Sequence, residues 1–376
     1  MRRLPRGRCL LPGAHFGTIV LDRVEELGGV ADIDDAWPRL GDDERILFMV
    51  GYESSLGSCS GRPELGPDHF VWRCRVVDAD ADADINADAD INVAAACGLS
   101  AAPVLKLCTS EEEHQRHLSR VRQCREQLLD GVIYQANLAH SLTVAESSHA
   151  EGLAFFLGAT RGAAPTCAAF VDVPGFGSLI SLSPERFVQA DLLAHTASTF
   201  PIKGTLPKSE DPQRLLSSLK DQAEHVMIVD LLRNDLGKVA VGGGVTVDSL
   251  MQLMTTPSVH HLESAISARL RDDVGVVDLL AACAPGGSIT GAPKSAAVEV
   301  IAALEAGPRG PYTGVLGLVD KGGRLRSSLL IRTWIRPDQG VGSLNVGGGI
   351  VIDSEPESEW LETLHKARTF GPVTIL

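Results

Sequence analysis

Lys203 is the side chain in this 376-residue chain with the most chemistry in it, because Pro201-Ile202-Lys203-Gly204-Thr205 can present it to a pocket at the end of a strand. To act as a nucleophile it must be neutral, and from an ordinary pKa near 10.4 that costs more than about 4 kcal/mol at neutral pH unless burial or a cationic neighbour lowers it. On local sequence alone, an ordinary surface lysine is the other reading. Glu185, in Ser183-Pro184-Glu185-Arg186-Phe187, can serve as a general acid where a partly desolvated pocket raises its pKa. The alternative, pairing with Arg186, is geometrically poor, since adjacent strand residues point to opposite faces. Asp221 and Glu224 stand three apart on one predicted helix, and Glu359 and Glu362 on another. Each pair projects from one helical face, as solvated surface or as hard oxygen ligands for a cation. Arg332 carries the planar guanidinium that binds a carboxylate through two hydrogen bonds. Gly347, Gly348 and Gly349 let the backbone approach an anion, or form only a flexible turn. Lys366, one helical turn beyond Glu362, is either a second anion contact or a surface partner of Glu362.

These residues need elements to position them. Ser110 followed by Glu111, Glu112 and Glu113 has a capping-box pattern, and Leu118, Val121, Leu128 and Leu129 then recur at helical spacing until Gly131. A strand over 133–142 follows, with Gln135 and Asn137 on one face. Further strands are predicted at 178–182, 186–190, 312–319 and 329–334, and helices near 211–234, 275–282, 292–305 and 356–369. Strands mixed with helices in this way predict an α+β layered fold. The expected organisation is an N-terminal subregion, 1–108, and a catalytic domain, 109–376. The subregion holds a buried strand at Ile46 to Tyr52 and an Ala/Asp-rich loop over 78–92. That loop contains six aspartates, but Ile85 and Ile91 stand where a calcium loop requires glycine and glutamate, so a solvated loop is expected.

At 44% hydrophobic residues the chain can bury a large core. No apolar run approaches the roughly 18 residues that span a bilayer. Met1 to Leu4 leads into a segment broken by Pro5 and Pro12, so no secretory signal is read and a cytoplasmic protein is expected. Eight cysteines without a C-x-x-C pair fit neither a zinc site nor a disulfide framework. A net charge of −14 with no Lys/Arg run argues against a nucleic-acid partner, though a few placed cations still permit an anionic small substrate.

The order of Ser183–Phe187, Pro201–Thr205, Glu224-His225-Val226-Met227-Ile228-Val229-Asp230, Gly287-Ser288-Ile289-Thr290-Gly291-Ala292-Pro293-Lys294, and the triple glycine followed by Glu359 and Glu362, resembles the chorismate-utilising enzymes over roughly residues 110 to 376. Lysine at the position of Lys203 is similar to the aminodeoxychorismate synthase branch, a transferase; the anthranilate synthase branch usually has alanine there. The resemblance implies two packed, mainly antiparallel β-sheets with helices outside and the active site between them. It implies that Lys203 attacks C2 of chorismate while Glu185 protonates the departing C4 hydroxyl, after which ammonia displaces the lysine to give 4-amino-4-deoxychorismate for 4-aminobenzoate and folate synthesis. It further implies a magnesium (Mg2+) site at Glu224 and Glu362, with Asp221 and Glu359 binding directly or through water. Tyr312, Arg332, Gly204, Thr205, Gly347, Gly348, Gly349 and Lys366 become substrate contacts, and His261 a catalytic histidine. A separate glutamine amidotransferase subunit is the implied ammonia source.

Three departures matter. Leu206-Pro207-Lys208 stands where the family usually carries Arg-Pro-Arg, the N-terminal part is shorter than usual, and no Leu-Leu-Glu-Ser segment is present, so tryptophan feedback is not expected. Gly57-Ser58-Cys59-Ser60-Gly61 mimics the flanked cysteine of an amidotransferase, but Arg62-Pro63 follows where a helix should start. Isochorismate and salicylate synthases carry a water-activating lysine where this chain has Gln135. Anthranilate synthase component I and a noncatalytic regulatory subunit with the same fold are the competing functions; retention of Glu185, Lys203, Glu224, Arg332 and Glu362 counts against the second.

Overall fold

The computed structural model describes residues 8–11, 19–27, 30–55, 69–78, 103–161, 165–173, 177–255 and 259–376. The cysteine turn at 57–61 and all of the acidic loop beyond Asp78 lie outside them. Strand pairing forms one path, antiparallel at every step but the first. It starts at Val373–Ile375, parallel to Leu107–Thr109, and passes through Gln135–Val144, Gly342–Ile350, Thr333–Pro337, Gly177–Ser183 and Cys167–Val173 to Arg8–Leu11. It continues through Ile19–Glu26, His69–Asp78, Glu44–Val50, Val315–Asp320, Arg324–Leu329, Arg186–Asp191 and Thr196–Thr199. The last of these meets the long hairpin of Ala240–Thr255 and Val259–Leu270. Strands from the first 78 residues thus occupy the middle of the path.

The two halves of the path face each other. Leu47, Met49, Leu316 and Leu318 pack against Cys9, Leu11, Cys167, Ala169, Val171 and Leu179 in a layer between them. Strand alternation sends Ile46, Phe48 and Val50 the other way, onto Ile228 and Leu232 of the Leu219–Gly237 helix and Leu279 of the Val276–Cys283 helix. The other outer face is covered by the His149–Thr160 helix, through Leu153 and Phe156 on Phe170, Ile180 and Trp334. The Glu111–Leu129 and Lys294–Leu304 helices cover Ala136 and Leu138 of the Gln135–Val144 strand. The architecture is α+β, two packed and mainly antiparallel sheets with helices outside. Among the described residues no helix is long and apolar enough to cross a membrane.

The helix signals in the sequence hold locally. Ser110 caps Glu111–Leu129 by accepting the Glu113 N–H at 3.1 Å, and Gly131 follows its end at φ +74°. Two expected strands differ. The one expected at 329–334 breaks after Leu329 and resumes at Thr333, because Arg332 lies in the left-handed region at φ +48°. The one expected at 312–319 starts only at Val315, because Tyr312 and Thr313 form a turn with Thr313 at φ +61°. The two breaks are laced together, Thr313 N–H to Leu330 O at 2.8 Å and Leu330 N–H to Gly314 O at 2.9 Å. Strain of roughly 1–3 kcal/mol at such residues persists only where the surroundings fix it.

A buried ion pair supplies part of that fixation. Arg309, 4% exposed, donates from Nε and Nη2 to the Glu305 carboxylate at 2.9 and 2.6 Å. Its other donors reach Ile289 O, Thr313 Oγ1 and Asn137 O, while Glu305 also accepts the Ala139 N–H at 2.8 Å. All the donors of the guanidinium are used, and they join the Tyr312 turn, the 287–289 turn and the Gln135–Val144 strand. Arg309→Leu leaves the Glu305 charge buried without its partner, and a loss of about 3–5 kcal/mol is expected. Urea denaturation measures it; a change within about 0.5 kcal/mol, as for an ordinary surface site, would contradict the assignment.

Candidate active site

Lys203 lies in the Ile202–Pro207 strand, which pairs with Val259–Leu270 through an irregularity between Lys203 and Thr205. Gly204 occupies that bulge at φ +68°, a conformation glycine adopts without a side-chain penalty. The Lys-Gly sequence is therefore a strand bent at the residue after the lysine. Lys203 is half-buried. Burial pushes its pKa down; the carboxylates of Glu224, Glu185 and Glu362 pull it up, and the Lys366 ammonium pushes it down, with a net lowering.

Glu185 joins two strands and is 8% exposed. The Ser288 hydroxyl donates to its Oε1 at 2.6 Å. Burial raises its pKa against the opposing effects of Ser288, Lys203 and Arg332, and burial wins. Arg186 turns away, donating to Glu263 at 2.6 Å and lying 3.8 Å from the Phe200 ring centroid, so the Glu185–Arg186 pairing does not form. Arg332 is half-buried, its pKa lowered by burial against the pull of Glu185. His261 pairs across from Thr205; burial, then Arg332, hold its pKa down while a hydrogen bond with the Gly204 backbone opposes them.

The three glycines are strand, not turn: Gly347, Gly348 and Gly349 pair with Ala139, Leu138 and Asn137. A side chain at Gly347 would start 2.6 Å from Leu138 O and 3.1 Å from the Tyr312 hydroxyl, and one at Gly349 would start 2.6 Å from the Gln135 amide nitrogen. Gln135 is fully buried and neither of its amide atoms has a hydrogen-bond partner among the described residues. On the other face, the space over Gly348 is approached by Glu359 Oε2, Glu362 Oε1 and Lys366 Nζ at 3.5, 3.7 and 3.8 Å. Lys366 pairs with Glu362 at 2.7 Å, as its surface-partner reading expects, and also donates to Gly347 O at 2.9 Å.

Lys203, Glu185, Glu224, Glu362, Lys366 and Arg332 are thus neighbours, with His261 beside Arg332 and Tyr312 against the glycine strand. The side chains of Thr205 and Asp221 lie outside the described set. Hard oxygen donors around the space over Gly348 suit a divalent cation that keeps part of its water shell. Among the described residues no three acidic, His or Cys side chains already form a closed metal cluster. Two contributors had no role assigned from sequence. Ser288 sits in the Gly287–Lys294 motif, which was the available signal. His225, fully buried, meets Ser264 Oγ at 2.6 Å through Nε2; burial and the nearby Lys203 lower its pKa to about 4.

Glu185 gives a stability prediction with a definite sign. A carboxyl whose folded pKa is raised stabilises fully below its unfolded pKa, near 4.3, and that stability is lost as pH rises through the folded value. Glu185→Gln mimics the protonated form at every pH, so its thermal midpoint should exceed that of the parent at pH 8, and the difference should shrink as pH falls. A difference independent of pH between 4 and 8 would show that Glu185 is not desolvated.

Residues 71–372 match the family model described as chorismate binding enzyme. An aminodeoxychorismate synthase component 1 of Salmonella typhimurium is 48% identical over 197 residues, covering 50% of this chain and 43% of that protein. Its counterpart from Escherichia coli is 42% identical over 264 residues, 68% of this chain and 57% of the relative. The chain thus spans about half the length of these two relatives in the matched region. An anthranilate synthase component 1 of Haloarcula marismortui is 40% identical over 388 aligned residues, 97% of this chain and 74% of the relative. Anthranilate synthase component I from Streptococcus pneumoniae superposes with a TM-score of 0.74 at 23% identity, covering 98% of this chain and 93% of that one, a likeness of fold. With the family match extending over most of the chain, the protein belongs to the chorismate binding enzymes.

Proposed function

We propose that this chain aminates chorismate at C4, giving 4-amino-4-deoxychorismate, with Lys203 as nucleophile. The observation that carries the proposal is one pocket in which burial lowers the pKa of Lys203 and raises that of Glu185. Both shifts favour the neutral forms, an amine that attacks and an acid that gives up a proton. The neutral Lys203 amine forms a bond to C2, the two conjugated ring double bonds shift around the ring, and the C4 hydroxyl leaves as water with the Glu185 proton. Ammonia then bonds to C4, both double bonds shift back, and the C2–N bond breaks to release Lys203 as the neutral amine. The new C4 ammonium returns a proton to Glu185.

Arg332, Tyr312 and the Gly347–Gly349 backbone would hold a substrate carboxylate, and Lys366 would add positive potential beside them. His225 and His261, both held below the usual histidine range, add no cation of their own at neutral pH. Glu224, Glu359 and Glu362, with Asp221 on the same helix as Glu224, would hold magnesium. The ion would supply charge neutralisation to a second substrate carboxylate. A glutamine amidotransferase subunit as ammonia donor and a cytoplasmic setting complete the proposal; relatives named component 1 support a partner.

Anthranilate formation is the second reading, favoured by the near full-length match to the Haloarcula marismortui relative. Lys203 separates the two, since direct amination at C2 needs no lysine nucleophile. Incubation of the purified chain with chorismate, magnesium and an ammonium salt, with products resolved by mass and chromatography, is the test. The expected product is 4-amino-4-deoxychorismate, and Lys203→Ala should lose it by at least about 10²-fold, the scale of a missing nucleophile, while still binding chorismate. Anthranilate from the parent chain, or normal C4 amination by Lys203→Ala, would overturn the proposal.

A further inference from the structure

A cavity of about 440 Å³ lies apart from Lys203, Glu185 and Arg332, with Cys108, Arg116, Arg120, Ala139, Pro308 and Tyr312 among the residues of its wall. Its size falls within the range of small-ligand sites. Arg120 is the unusual member. It is 8% exposed, yet its one hydrogen bond to a described residue runs from Nη1 to Glu113 Oε1 at 2.8 Å. Its Nε and Nη2 are not sealed away from solvent, and Arg120 is part of the cavity wall. Arg309, in the same wall, has all its donors taken by Glu305, Ile289, Asn137 and Thr313 and is closed to a ligand.

With Nη1 on Glu113, the remaining donors of this nearly buried guanidinium are reached by solvent and can take an anion in place of water. The fork is planar and suits a carboxylate through two parallel bonds, and Arg116, shared with Glu112 and Glu113, adds charge beside it. The rest of the wall is mixed, with Ala139, Pro308 and the Tyr312 ring beside the polar side chains of Ser141, Thr143 and Asn345. We propose that this cavity is a second ligand site, distinct from the lysine pocket, for a small monocarboxylate, its carboxylate held by Arg120. Tyr312 belongs to both places, in this wall and 3.1 Å from where a Gly347 side chain would start, so an occupant bears on the glycine strand of the first site.

Cys108 reports on the cavity from within. It is half-buried there, whereas Cys9, Cys74, Cys124, Cys167 and Cys283 are buried. The test follows the rate of iodoacetamide labelling at Cys108, located by peptide mass, with benzoate as the probe and benzamide as its neutral isostere. Benzoate should slow labelling several-fold in the parent chain and in Arg332→Gln, and benzamide should not. Arg120→Gln should abolish the protection, and Arg120→Lys, which keeps the charge but loses the fork, should weaken it. Labelling unaffected by benzoate in the parent chain would overturn the proposal without any variant. So would equal protection by benzamide, or protection that survives in Arg120→Gln and vanishes in Arg332→Gln, which would assign it to the lysine pocket.

Discussion

Desolvation is the constraint on which this site depends. Lys203 and Glu185 share a pocket that removes water from both, so each is driven toward its neutral form although their mutual attraction favours the ions. Three carboxylates act on Lys203 and one ammonium acts with the burial, and the net shift is still downward. In the proposed reaction the same pocket admits a substrate carrying negative charge, which by itself would hold the lysine protonated. Arg332 and Lys366 would offset that charge, whereas His225, whose pKa burial and Lys203 lower to about 4, adds none of its own.

Precise placement of these groups comes from backbone that departs from regular strand. Gly204 bends the strand after Lys203, Arg332 interrupts a strand at φ +48°, and Thr313 turns the chain at φ +61° beside Tyr312. The departures at Arg332 and Thr313 are held by long-range hydrogen bonds, between Leu330 and the Thr313 turn and from Arg309 to three separate segments. The glycines of Gly342–Ile350 then bring one strand close enough to Leu138, Tyr312 and Gln135 that a side chain at 347 or 349 would force them apart. Rigid layers on both sides make such a site affordable, since the helices of the outer faces and the apolar seam between the sheets fix the strands that carry it.

Much of this was legible in the sequence, for reasons that can be stated locally. The Ser110 cap, the Gly131 stop and the alternation of Gln135 with Asn137 are short-range signals, and the structure bears them out. Lys203, Glu185 and the acidic residues stood out through the order of their motifs, while composition alone leaves a surface lysine and solvated acids as the default. What was not legible depends on contacts between distant residues. Ser288 reaches Glu185 across 103 positions, and Arg309 reaches Asn137 across 172. The breaks at Arg332 and Thr313 oppose intrinsic preference, because non-glycine residues avoid positive φ unless tertiary contacts hold them there. The triple glycine reads as a turn from composition, and only its register with Ala139, Leu138 and Asn137 makes it a strand.

The central claim is that burial, more than its charged neighbours, sets the state of Lys203. Its pKa can be measured directly from the pH dependence of its acetylation by trace acetic anhydride, quantified on the peptide that contains it and compared with exposed lysines of the same chain. The account predicts a midpoint for Lys203 below the ordinary lysine value near 10.4. A midpoint at or above that value would mean that Glu224, Glu185 and Glu362 outweigh desolvation, and the lysine would then be an ion-pair partner and not a poised nucleophile.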